Sequence, residues 1–211
     1  MIKIIFFDFD GVLTTDPSGS YTTCKNIQKV VTEIPFEHIL QCYRQHHPQL
    51  LLGQKTHLDI WKDFCECVGV ALEINVLKQV FADTPKNTSV FEICENLKKT
   101  YRLGVITDNS KDRFEVLKEA MTLTDIFDYF IVSAEVGSRK DRDNIFKEAL
   151  RVVHAEAEEC VFIDNNESNL VAPKALGFET IFHDHVKNDI LCLARNLENL
   201  GIALPPSQDV H

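Results

Sequence analysis

Five short apolar runs recur along this chain with helix-length segments between them, and that alternation narrows the possible folds more than any other feature. The runs occupy residues 3–9, 103–107, 129–133, 160–164 and 179–182. Uninterrupted apolar runs of this length, bounded by polar residues, read as buried strands. The segments between them have helical period. Val90, Ile93, Cys94 and Leu97 share a face in 89–99, where Ser89 and Glu92 have the spacing of a capping box. Phe114, Leu117 and Ala120 do so in 113–121, and Ile145, Phe146, Ala149, Leu150 and Val153 in 143–153. Strands alternating with helices in this way predict an α/β fold, a doubly wound and largely parallel sheet with helices on both faces.

One stretch breaks the pattern. Residues 16–85 contain no convincing strand, and their apolar positions fall into helical sets. These are Ile27/Val30/Val31, Phe36/Ile39/Leu40/Tyr43, Leu58/Trp61/Phe64/Cys65/Val68 and Ile74/Leu77/Phe81, which predict three or four helices. The expected organisation is an α/β core from residues 1–15 and 86–211, with a helical unit at 16–85 inserted after the first strand. The polar tail at 205–211 is expected to fray.

The bulk properties exclude several classes. A net charge of −10 argues against nucleic acid as a partner, because phosphate backbones require basic surfaces. No apolar stretch approaches the length of a membrane span, and the four apolar residues at 4–7 lead straight into acids, unlike a signal peptide. The seven cysteines are odd in number and scattered, several of them in apolar patterns, which predicts reduced thiols and a cytoplasmic location. Cys65 and Cys67 lack the second pair that a zinc knuckle needs.

The chemistry-bearing residues stand at the strand ends. In an open parallel sheet, ligands bind outside the carboxyl ends of the strands. The first run ends in Asp8-Phe9-Asp10-Gly11, whose two carboxylates lie one residue apart and so on one face of an extended chain. The second ends in Thr107-Asp108-Asn109-Ser110, the third is followed by Gly137-Ser138-Arg139-Lys140, and the fourth ends in Asp164-Asn165-Asn166. Plainer readings exist for each. Asp8 to Gly11 is also turn chemistry, Thr107-Asp108 also suits a helix start at Ser110, Lys140 sits in a charged loop, and Asp164 suits an Asx-turn. Converging on one crevice, however, acids, a hydroxyl and a lysine are what phosphoryl transfer requires.

In these four motifs, in this order, the chain resembles the haloacid dehalogenase superfamily, and more narrowly its phosphatase-like branch with a small helical cap. Asp8-x-Asp10-Gly-Val-Leu is similar to the first motif, Val105-Ile106-Thr107-Asp108-Asn109 to the second, Gly137-x-Arg139-Lys140 to the third, and Val161-Phe162-Ile163-Asp164 with Asn169 and Gly177 to the fourth. The resemblance implies a Rossmann-like core with an inserted cap. It implies Asp8 as nucleophile, Asp10 as general acid/base, Thr107 as a phosphoryl-binding hydroxyl and Lys140 as the neutralising cation. It also implies Mg²⁺ held by Asp8, Asp164 and the backbone carbonyl of Asp10, with Asp108 and Asn109 beside the substrate. His46 and His47 lie in a segment that faces the substrate in similar proteins.

The chain departs from the pattern twice. Asp141 stands where proline often follows the motif-three lysine, free to pair with Arg139 or Lys140. Asn165 stands where a second acid is common, which lowers the expected metal affinity. Asn165 also has the alternative of holding the motif-three loop, with Asp141 as partner. Shared metal binding is not expected of His46-His47, which point apart on a helix, nor of His183-Asp184-His185.

The resulting expectation is a Mg²⁺-dependent hydrolase of a small phosphorylated metabolite. A phosphomutase is the rival within the same chemistry, and a non-catalytic binding protein is the rival on the same fold. A dehalogenase is disfavoured by the acid at Asp10.

Overall fold

The computed structural model describes residues 1–204; the tail expected to fray, 205–211, lies outside the described residues. The five strands are β1 (Ile4–Phe7), β2 (Arg102–Thr107), β3 (Tyr129–Val132), β4 (Cys160–Asp164) and β5 (Glu179–Phe182). They form one sheet in the order β3-β2-β1-β4-β5, and all of its pairings are parallel. The chain starts in the middle, builds outward through β2 and β3, then crosses back to lay β4 on the other side of β1. The order reverses at β1, so the crevice at the carboxyl ends of β1 and its neighbours is the site this topology offers a ligand.

The core helices are α6 (Thr88–Leu97), α7 (Lys111–Ala120), α8 (Ser133–Val136), α9 (Asn144–Val153), α10 (Val171–Leu176) and α11 (Ile190–Asn199), numbered after the five that precede them in the chain. Alternation along β1 sorts the packing. Ile5 and Phe7 join Val105, Ile163, Leu97, Phe114, Leu117 and Leu197 on one face. Ile4 and Phe6 join Ile131, Phe162, Ile145, Phe146 and Ala149 on the other. Truncating a side chain such as Phe146 to Ala in such a core costs about 3–5 kcal/mol.

Two boundaries differ from the sequence expectation, each for a local reason. The first strand stops at Phe7 rather than continuing through Phe9. The Asp8 carboxylate accepts the Phe9 N–H at 2.7 Å, and the chain enters a tight turn over Phe9–Leu13 in which Gly11 has φ +87°. A side chain at Gly11 would also meet the Asn165 amide. The capping box expected at Ser89 and Glu92 does not form. Asn87 precedes the helix, and its amide donates instead to the Val12 carbonyl (3.0 Å) and to Asn188 Oδ1 (2.9 Å).

Between β1 and α6 lie five helices rather than three or four: α1 (Gly19–Gln28), α2 (Phe36–Arg44), α3 (His47–Leu51), α4 (His57–Val68) and α5 (Val76–Ala82). The additional one is α3, a short helix with proline in its first turn. Their apolar faces close on a separate cluster that includes Cys24, Ile27, Ile39, Tyr43, Ile60, Trp61, Phe64, Leu77 and Phe81. Helix α1 ends before Val30, which is exposed, as is Leu58, so neither belongs to the apolar face that periodicity assigned it. Thr56 and Asp59 form a capping box that starts α4. Among the described residues, none of these helices contributes a strand to the sheet.

The cysteines correct a second expectation. Cys42 in α2 and Cys67 in α4 are joined by a disulfide, with Cα atoms 5.8 Å apart, because the two helices pack side by side. The expectation of uniformly reduced thiols, and the cytoplasmic location drawn from it, loses that support. Cys65, two residues before Cys67, remains a free thiol. Among the described residues no helix is long and apolar enough to cross a membrane.

Candidate active site

The strand ends and the short helices above them enclose a cleft of about 380 Å³. At its base, β1 delivers Asp8 and β4 delivers Asp164. The loop after α8 drops Lys140 between them, its Nζ 2.7 Å from Asp8 Oδ1 and 2.7 Å from Asp164 Oδ2. All three side chains are buried. Asp164 is also held by the Asn166 N–H (2.7 Å) and by the Asn169 amide at 3.1 and 3.2 Å. Burial, then the like charge of Asp164, pushes the Asp8 carboxyl well above the usual range, with Lys140 opposing. Burial pulls Lys140 down, but the carboxylates of Asp8, Asp164 and Asp108 more than reverse this and keep it charged.

Asp10 lines the same cleft but has its own counterion. Arg113, in the first turn of α7, meets it with both ends of the guanidinium, Nη2 to Oδ1 at 2.8 Å and Nη1 to Oδ2 at 2.9 Å. Burial lowers Arg113's affinity for its proton and Asp10 restores it beyond the ordinary value. Asn109 links the pair, donating to Asp10 Oδ2 (3.3 Å) and accepting from Arg113 Nη1 (3.1 Å). Sequence reasoning missed Arg113. The available signal was its spacing of four from Asn109, which puts the two on one side of the helix start.

The other strand-end residues fall into two groups. The Thr107 hydroxyl is buried at the cleft with no partner among the described residues, an orphaned polar atom where one is seldom left unmatched. Asp108 does not cap α7. It accepts the Lys140 N–H (2.9 Å) and Arg139 Nε (3.2 Å), and so fixes the loop that carries the lysine. Arg139 and Lys140 are thus committed to acids other than Asp141. Asn165 does not brace that loop either. Its amide lies over Gly11, 3.4 Å from the Pro17 carbonyl and 3.5 Å from His185 Nδ1.

The wall opposite the sheet comes from the helical region. Tyr43, His47, Leu50 and Leu51 line it, whereas His46, also expected near the substrate, is not among the lining residues. Burial, then the positive charges of Arg139 and Arg113, lowers the His47 pKa to about 4, so the ring is neutral above mildly acidic pH. Behind the wall, His57 is fully buried. Its Nδ1 and backbone N–H donate to Asp112 at 2.8–2.9 Å, and its Nε2 lies 2.8 Å from the Tyr43 hydroxyl. This chain from α7 through α4 to α2 was not legible in the sequence. His185 reaches the cleft, while His183 is buried against Asn188.

The donor set fits a hard divalent cation. Two buried carboxylates, Asp8 and Asp164, converge on one point, each 2.7 Å from Lys140 Nζ, and supply the hard oxygen donors that such an ion takes. Mg²⁺ takes one or two carboxylates and keeps several waters. Among the described residues no three His, Cys, Asp or Glu side chains form a metal cluster. The carboxylate of Asp10 already has Arg113 as its counterion.

The sequence pattern of the haloacid dehalogenase-like hydrolases matches residues 2–177, and the chain belongs to that family. It is a hydrolase on the Rossmann-like α/β fold of that family. It is 25% identical over 205 residues to the glyceraldehyde 3-phosphate phosphatase of Pyrococcus abyssi, covering 89% of this chain and 83% of that protein. It is 25% identical over 169 residues to the drimenol cyclase drtB of Aspergillus calidoustus, covering 71% of this chain but only 31% of the fungal protein. In structure it is similar to a haloacid dehalogenase family enzyme of Bacteroides thetaiotaomicron, crystallised with magnesium and inorganic phosphate. That likeness has a TM-score of 0.71 at 16% identity and covers 88% of this chain and 95% of that one.

Proposed function

We propose that this hydrolase is a Mg²⁺-dependent phosphohydrolase acting on a small phosphate monoester through an aspartyl-phosphate. The observation that carries the reading is the base of the cleft, where Lys140 bridges Asp8 and Asp164 beside the partnerless Thr107 hydroxyl. Asp8 attacks phosphorus. Lys140 holds the nucleophile in place and offsets the charge of the transferring group. The Thr107 hydroxyl donates to a phosphoryl oxygen, which gives that orphaned atom its partner. Asp10 protonates the leaving oxygen, then takes a proton from the water that hydrolyses the intermediate. Asp8, Asp164 and the Asp10 carbonyl would hold Mg²⁺, which when bound screens the negative charge of the phosphoryl oxygens.

In this reading residues 16–85 are a cap over a core formed by 1–15 and the chain from 86 onward. Tyr43, His47, Leu50 and Leu51 then exclude water and select the leaving portion, with Asp108 and Asn109 at its side. A cavity of about 380 Å³ suits a small phosphorylated metabolite. The archaeal relative, named for a triose phosphate, supports that size class.

The test is phosphate release from a panel of phosphorylated metabolites in Mg²⁺, by the wild type and by Asp8→Asn. Turnover in the wild type and none in the folded variant is expected. Substantial turnover by purified Asp8→Asn would sink the covalent mechanism.

A further inference from the structure

The Arg113–Asp10 pair has a more specific geometry than charge neutralisation requires. A carboxylate offers about four lone-pair sites, two on each oxygen. On Asp10, Oδ2 receives two donors, Arg113 Nη1 at 2.9 Å and Asn109 Nδ2 at 3.3 Å. Oδ1 receives one, Arg113 Nη2 at 2.8 Å. The paired fork fixes the plane of the carboxylate, and Asn109 Oδ1 steadies the guanidinium from its other side at 3.1 Å. One oxygen is therefore filled, and the other keeps an open site in a group that lines the cleft.

The surroundings make room for this arrangement. A Cβ on Gly19, the first residue of α1, would fall 2.5 Å from Arg113 Nη1 and 2.9 Å from Asp10 Oδ2. Gly19 does not have the positive φ that favours glycine, so its backbone imposes no need for that residue. A side chain there would instead have to displace the fork. A buried ion pair is also a poor source of stability, since desolvating both charges offsets much of their attraction.

We propose that Arg113 is a positioning residue for Asp10, turning its carboxylate so that Oδ1 alone meets the leaving oxygen; this rests on the phosphohydrolase reading above. In the first step the Asp8–phosphorus bond forms and the ester P–O bond breaks, and the proton on Asp10 Oδ1 passes to the departing oxygen. In the second step water attacks phosphorus, its proton returns to Oδ1, and the Asp8–phosphorus bond breaks. Gly19 provides the space in which this orientation is held.

The test compares two esters in Mg²⁺ with wild type, Arg113→Lys and Gly19→Ala. The p-nitrophenolate of p-nitrophenyl phosphate leaves without a proton, whereas the alkoxide of 2-hydroxyethyl phosphate needs one. In both variants kcat/KM for the alkyl ester should fall by about 10²-fold, the low end of what a positioned acid supplies, and for the aryl ester by less than about 10-fold. The aryl ester should also give a burst approaching one p-nitrophenol per enzyme, because hydrolysis of the intermediate still depends on Oδ1. Equal losses on both esters without a burst, or no loss, would overturn the proposal and leave a purely structural ion pair. If Arg113→Lys does not fold, judged by its thermal transition, Gly19→Ala keeps both charges and carries the same comparison. A wild type that cleaves neither ester, nor any phosphate ester in the metabolite panel, removes the phosphohydrolase reading itself, an outcome distinct from failure of the positioning role.

Discussion

The two walls of the cleft are built on opposite principles. On the sheet side every cation is spoken for: Lys140 by Asp8 and Asp164, Arg113 by Asp10, Arg139 by Asp108. On the helical side the groups are neutral. Burial holds the Tyr43 phenol protonated far above its ordinary range, His47 is uncharged above mildly acidic pH, and Leu50 and Leu51 complete the surface. Under the proposed function, charge is concentrated where bonds would be made, and shape and neutral donors would face the variable part of the substrate. A leaving portion can then change without disturbing the ion pairs beneath it.

The sharpest way to break this contrast is to remove the cation at the centre of the charged wall. Lys140→Met leaves two buried carboxylates facing each other. Losing one partner of such a group costs about 3–5 kcal/mol, read by denaturant unfolding, and phosphate release should vanish. Next comes the tether that holds the neutral wall against α7. Asp112→Asn weakens the bonds from His57, with a loss of about 1–3 kcal/mol and a rise in KM that exceeds any fall in kcat. Burial tends to raise the Asp112 carboxyl, but the His57 hydrogen bonds bring it well below the ordinary carboxylate range. A depressed carboxylate stabilises the fold at neutral pH and loses that contribution only in acid. The gap between wild type and variant should therefore close only as pH drops below about 3.9.

His47 has the same sign in a higher pH window. Its pKa of about 4 lies below the ordinary 6.5, so the unfolded chain binds more protons between those values. Wild type should lose stability as pH falls from 6.5 toward 4, whereas His47→Gln should lose less across that interval in thermal melts. The smallest effect is expected at Asn165, whose two contacts are long. Asn165→Asp adds a charge near the Asp8 and Asp164 pair and should lower the Mg²⁺ concentration for half-maximal activity several-fold. Unchanged titration curves would place this side chain outside the metal's influence.

The same division decides what could be read from the sequence. The sheet and its end-of-strand acids were legible because strand periodicity and parallel topology put Asp8, Thr107 and Asp164 at one edge, with the loop lysine Lys140 beside them. Partners chosen by three-dimensional packing were not. Arg113 sits among the charged residues that open a helix, and its spacing of four from Asn109 is a weak signal that does not name Asp10 as its partner. His57 and Asp112 are 55 residues apart and meet only when α4 packs on α7. The Cys42–Cys67 bond likewise follows from helix packing, which an odd and scattered cysteine count obscured. Of the two histidines singled out at 46 and 47, the break between α2 and α3 sends only the second to the cleft.

The point where the chain leaves β1 and returns to α6 has a consequence of its own. Outgoing and incoming segments run antiparallel there. They are joined by a bridge between Thr14 and Lys86, by the Thr15 N–H to the Pro85 carbonyl (3.2 Å), and by the Asn87 N–H to the Leu13 carbonyl (2.9 Å). The two ends of the long excursion are thus fixed to each other at its neck. The entropy of closing a loop grows only slowly with its length, and here the closure is secured at the neck. A change of length within residues 16–85 should therefore cost the sheet little, provided that the contacts of Gly19 and His57 with the core are kept.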